Sequence, residues 1–159
     1  VDNWILITYD LPVTKEGNEI RFKFLRMAPR LGAMMHTRSV YFMPQTPAAE
    51  QAAVELSKVG KVFVWTSEMK SEEQKKELTG LYDARVWVEV NRVEKRLEKI
   101  QQRILDGKKL GFASRMLDKT IRLFNDAFFA AGMRGSVEIL GRLQELRKQI
   151  EQYQLELGG

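Results

Sequence analysis

The sequence contains no cysteine and a single histidine, His36. The first absence excludes a disulfide framework, a thiolate nucleophile and any cysteine-ligated zinc or iron–sulfur site. The second excludes a histidine cluster around a metal within one chain, and a lone histidine in a strand reads as an ordinary packed or surface residue. No apolar run approaches the roughly 20 residues that a membrane-spanning helix needs. The opening "VDNWILITYDLP" lacks a basic segment followed by a long apolar one, so nothing directs export. These absences lead to the expectation of a cytoplasmic protein without a membrane partner. Also missing are a nucleotide-binding glycine pattern, a serine nucleophile elbow, an HExxH helix and a paired-acid glycosidase signature. "LGFAS" and "AGMRGS" read as helix breakers. No motif argues for an enzyme, and no cofactor is expected.

What is present is enough for a folded core, with 44% hydrophobic residues in 159. The net charge of +5 arises from 26 bases mixed with 21 acids. Any attraction to a polyanion must therefore come from how the fold arranges those charges.

Residues 1 to 70 alternate strand-like and helix-like runs. "WILITYD" is β-branched and aromatic, and "NEIRFKFLRMAP" spaces Ile20, Phe24, Met27 and Leu31 as a helix, with Asn18 as N-cap and Pro29 ending it near Ala28. "AMMHTRSVYFMP" reads as two short strands bent near Thr37 to Ser39 and closed by Pro44. Thr46 caps a second helix that starts at Pro47 and stops at Gly60, and "KVFVWTSEM" is the last strand. The order is that of a ferredoxin-like βαββαβ unit with both helices on one face of an antiparallel sheet. Its strands do not alternate cleanly: Trp4, Leu6 and Thr8 oppose Ile5, Ile7 and Tyr9, and Phe63 and Trp65 oppose Val62 and Val64. Both sheet faces are thus expected to need cover, from the C-terminal half or from a second subunit.

Residues 71 to 159 read as a helical domain. A capping pattern from Ser71 to Gln74 opens a helix with Val86, Val90, Val93, Leu97, Ile100 and Ile104 at steps of four and three. After "DGKKLG" a second helix carries Leu117, Ile121, Phe124 and Phe128. After "GMRG" a third carries Ile139, Leu143, Leu146, Ile150, Tyr153 and Leu157. Short glycine-containing links predict an antiparallel three-helix bundle, so the fold class is α+β.

The combination of "WILITYDLP", "RFKFLRMAPRLGAMMHTRSVYFMP", "LTGLYDAR" and "RLFNDAFFAAGMRGSVEILGRLQEL" resembles the N-terminal region of ChrB, the chromate-resistance protein. Over the ferredoxin-like unit alone, PaaX-type transcriptional repressors and the small CRISPR adaptation subunit look similar. The ChrB resemblance implies a chromate-responsive regulator of transcription. Full-length ChrB carries a further C-terminal domain outside this region, which leaves a binding or assembly role here.

Three sets of candidate residues follow. Arg21, Lys23, Arg26, Arg30 and Arg38 are the nucleic-acid-binding candidates; Lys23, Arg26 and Arg30 are spaced to share a helix face opposite the apolar one. Arg21 and Arg38 are also candidates for holding chromate or another oxyanion, which favours guanidinium and ammonium donors. Asp10 is a weak catalytic candidate. The CRISPR-subunit resemblance implies a divalent ion there, giving a Mg²⁺-dependent nuclease as the alternative function, whereas turn chemistry accounts for an Asp before Leu-Pro. Arg92, Lys95, Arg96, Lys99 and Arg103 are interleaved with Glu94 and Glu98, which reads as a solvated, salt-bridged face. The expected partners are DNA and a second copy of the chain. The third alternative is a non-catalytic oligomeric interaction protein.

Overall fold

The computed structural model describes residues 3–107, 109–134 and 136–158. It is a mixed α+β chain in the order β1 (Trp4–Asp10), α1 (Lys15–Leu31), β2 (Met34–Thr37), β3 (Val40–Pro44), α2 (Pro47–Ser57), β4 (Lys61–Ser67), α3 (Glu72–Asp106), α4 (Leu110–Arg134) and α5 (Val137–Gly158). The chain divides into two compact units, one running through Tyr82 and one from Asp83. The sequence division at residue 70 falls in the link before α3, yet the first turns of α3 belong to the first unit. Leu78 and Tyr82 are buried there, and the Tyr82 ring meets Trp4 edge-on with centroids 5.4 Å apart.

The first unit is built on an antiparallel sheet in the order β2-β3-β1-β4. Period-two alternation sends Ile5, Ile7 and Tyr9 of β1 to one face, with Tyr41 and Met43 of β3 beside them. These side chains pack with Phe24, Ala28 and Leu31 of α1 and Ala49, Ala52, Ala53 and Leu56 of α2. The alanines of α2 let its backbone lie close to the sheet, while Phe24, Tyr9 and Tyr41 fill the wider space with edge-on and stacked rings. Each fully buried Ile or Leu stabilises the unit by about 1.5–3 kcal/mol.

Two details of α1 differ from expectation. Its N-cap is Thr14, whose hydroxyl accepts from the Gly17 N–H at 3.1 Å; the Asn18 side chain instead accepts from Arg21. Pro29, expected to end or kink α1 near Ala28, lies inside the helix, which continues to Leu31 although proline has no N–H for the Leu25 carbonyl. Closure comes from Gly32 in the left-handed conformation at φ 64°, with the Gly32 and Ala33 N–H groups returning to the Pro29 and Ala28 carbonyls. α2 follows its expected start, with the Thr46 hydroxyl accepting from the Ala49 N–H and Pro47 in the first turn.

Within one chain the sheet is left without cover at β4. Trp4 is buried and Leu6, Thr8, Val40 and Phe42 are half-buried, but Phe63, Val64 and Trp65 are exposed. A strand at the sheet margin has neighbours on one side only.

In the second unit the apolar seams are buried as spaced. Val86, Val90, Val93, Leu97 and Ile100 of α3 are buried, as are Leu117 and Phe124 of α4 and Ile139, Leu143, Leu146, Ile150 and Tyr153 of α5. α4 buries small residues as well, namely Ala113, Ala127, Ala130 and Ala131. It continues past Gly132 to Arg134, so the expected break at "GMRG" comes later. The Arg147 guanidinium of α5 lies over the Phe128 ring of α4, and Arg103 of α3 lies over Phe112 of α4.

Two glycines should respond in opposite directions. A Cβ on Gly32 would collide with the Tyr82 ring in a backbone region that costs a side chain about 1–2 kcal/mol. Gly80, inside α3, has open space around it. Urea unfolding should therefore show Gly32→Ala destabilised by about 2 kcal/mol or more, and Gly80→Ala stabilised by roughly 0.5–1 kcal/mol. A second expectation concerns Tyr9, whose hydroxyl burial pushes up from 10.0 to about 12, helped by the neighbouring Tyr41. The fold favours the neutral phenol, so this contribution is complete below pH 10 and declines as pH rises toward about 12. Tyr9→Phe should flatten the alkaline limb of stability against pH, measured by urea midpoints.

Candidate nucleic-acid interface

α3 can bury only one stripe, and the residues opposite that stripe are Val88, Asn91, Arg92, Lys95 and Lys99. Arg92, Lys95 and Lys99 recur at steps of three and four, which stacks them along the helix over about 10 Å. Arg96 flanks them, and with Val88 and Asn91 these cations border a shallow, open strip of the α3 surface. Lys95 and Lys99 are exposed, and with Arg96 they make no ion pair among the described residues.

Of the acids interleaved with them in sequence, Glu89 and Glu94 are held in ion pairs and Glu98 is exposed. Glu89 is only 4% exposed and accepts from Arg85 Nη1 at 2.6 Å and Arg92 Nη1 at 3.1 Å. Glu94 accepts from Arg142 of α5, which also donates to Glu145 at 2.6 Å. Those two bonds, Glu145 first, raise the Arg142 pKa above its ordinary value. Glu98 lies one turn beyond Glu94 and so on the same flank of α3. On α3 the bases Arg92, Lys95 and Lys99 face outward, Glu94 and Glu98 lie on the flank that meets α5, and Glu89 lies on the other flank, held by Arg85 and Arg92. A row of this kind suits phosphate oxygens: the guanidinium planes offer paired donors and the lysines add mobile point charges.

The other candidate residues are dispersed over the first unit. Arg21 is a strut, donating through Nη1 to Asn18 Oδ1 at 2.6 Å and through Nη2 to the Leu11 carbonyl at 3.4 Å. Lys23 does not lie opposite the apolar face; it sits on the α2 side, 3.7 Å from Glu55. Arg26 and Arg30 are exposed on α1, and Arg38 is exposed in the β2–β3 turn. Arg21 and Arg38 approach the same end of the sheet, where the Tyr9 N–H donates to the carbonyl of Ser39. Asp10 is exposed at the end of β1, where its register partner is Lys61 rather than a second acid. No group of three potential metal ligands occurs among the described residues. His36 is exposed on β2, its ring 5.9 Å from that of Phe42.

No family model matches the chain, and no curated protein matches it either.

The α3 row is what reading along the chain missed. Counted in order, Glu94 and Glu98 dilute the bases; wound at 3.6 residues per turn, they leave the basic face. A helical projection carries that signal, whereas the Arg142 partner, 48 positions from Glu94, does not show in any local window.

The buried carboxylate should matter more than its exposed partner. Glu89→Gln weakens two charge-assisted bonds at a site shielded from water and should lower stability by about 1–2 kcal/mol. Arg92 is half-exposed, so Arg92→Ala should change it by only about 0.5 kcal/mol. Urea midpoints of the two variants against the parent check the ordering.

Proposed function

We propose that the protein binds nucleic acid in a regulatory role, with the outward face of α3 neutralising phosphates. The observation that carries this reading is the outward row of bases on α3, in which Lys95, Arg96 and Lys99 make no ion pair among the described residues while Glu89 and Glu94 are engaged by arginines. The regulatory setting rests on the resemblance of the quoted segments to ChrB. A ferredoxin-like assignment of the first unit is supported by the β2-β3-β1-β4 order and by α1 and α2 sharing one core with the sheet. A bundle assignment of the second is supported by contacts linking α3 to α5, α3 to α4 and α4 to α5.

The test is fluorescence anisotropy of a labelled DNA duplex over a salt series, with and without Mg²⁺. Losing two phosphate contacts in Lys95→Ala/Lys99→Ala should reduce the slope of log affinity against log salt by about 1.8. It should also weaken binding roughly tenfold or more at low salt, a change of about 1.4 kcal/mol. Arg26→Ala/Arg30→Ala should leave both nearly unchanged. The reverse pattern would move the interface to α1. A probe shortened by wild type with Mg²⁺ but not by Asp10→Asn would replace this proposal with the nuclease reading.

A further inference from the structure

The two margins of the sheet are built differently. β2 is four residues long, shifts register between Met35 and Thr37, and continues into exposed His36, Thr37 and Arg38. Short length, irregularity and polar side chains are the devices that keep a sheet edge from pairing further. β4 lacks the first two, and its polar residues, Lys61, Thr66 and Ser67, stand at its ends. It runs seven residues in unbroken register with β1, from Trp4↔Ser67 to Asp10↔Lys61, and Val62 to Ser67 includes neither proline nor charge. Its exposed apolar side chains occupy both faces: Phe63 at 58% and Trp65 at 56% on one, Val64 at 49% on the other. The two rings lie 6.3 Å apart and form one patch.

We propose that β4 pairs antiparallel with β4 of a second copy of this chain, on a two-fold axis at Val64. An axis perpendicular to the sheet keeps every residue on its own face, so only residues of the same face can stand opposite one another. Centred on Val64, this register sets Phe63 against the partner's Trp65, twice over. Val62 then meets the partner's Thr66, and Lys61 meets the partner's Ser67. Charge selects both the direction and the partner. Lys61 stands at one end of the strand and Glu68 just beyond the other. Antiparallel pairing puts each lysine at the strand end where the partner's chain continues into Glu68, whereas parallel pairing would set lysine against lysine. The four half-exposed rings would bury roughly 400 Å². With the strand backbones and the Val64 pair added, the contact approaches the lower bound of stable interfaces, about 1,200 Å². The dimer is accordingly concentration-dependent.

The cysteine-free chain supplies its own test. Residues paired across a two-fold axis have Cα atoms about 4.5–5.5 Å apart, within disulfide reach. Val64→Cys should therefore cross-link into a covalent dimer on mild oxidation. Thr66→Cys should not, since the two copies of that position are offset by about 13 Å. In parallel, sedimentation should show wild-type mass rising with concentration. Phe63→Lys/Trp65→Lys and Phe63→Glu/Trp65→Glu should each remain monomeric, and an equal mixture of the two should recover the dimer. The proposal is overturned by a monomeric wild type throughout the series, by equal cross-linking at both cysteine positions, or by a dimer that the charged variants leave intact.

Discussion

The constraint on which the second unit depends is that a 35-residue helix has one face to hide and one to show. The valines, Leu97 and Ile100 of α3 claim the hidden face at steps of four and three, and every other position on the helix is fixed by that choice. Lys95 and Lys99 point outward because Val93, Leu97 and Ile100 point inward. The ion pair from Arg142 to Glu94 then ties α5 to the flank where Glu94 falls. That pair is half-exposed and adds little stability, on the order of 1 kcal/mol at most. Its consequence is electrostatic, since it neutralises one carboxylate on the flank of the basic row.

The first unit obeys a similar economy in two dimensions. Small alanines on α2 and aromatic rings from α1, β1 and β3 close one face of the sheet, and Gly32 allows Tyr82 to settle near Trp4. Gly60 permits another close approach, where a Cβ would strike the Asp10 carbonyl and Leu11. These contacts fix β1 from both ends and leave β4 as the margin with apolar groups still in water. A stable sheet and an adhesive edge arise from the same strand composition.

Much of the local structure was legible in the residues. The strand at Trp4–Asp10, the hairpin bend before Val40, the Thr46 cap and the three helical seams all have short-range signals. The α1 cap was misplaced because Asn18 and Thr14 are both good caps, and only the position of Arg21 shows that Asn18 is engaged. The end of α1 was misplaced because the left-handed Gly32, not Pro29, closes the helix. Lys23 was assigned to the wrong side of α1 because its partner, Glu55, comes from α2. The basic face of α3 was concealed for the same reason: its neighbours Glu89 and Glu94 are neutralised by residues near and far in the chain, and composition cannot show which.

The most direct measurement of the central claim is amide chemical-shift mapping of the full chain titrated with a short DNA duplex at low salt. The account predicts progressive shifts along α3 from Val88 to Arg103, greatest near Lys95 and Lys99, and suppressed as salt is raised. Shifts confined to α1 and the Arg38 turn, with α3 unmoved, would contradict it.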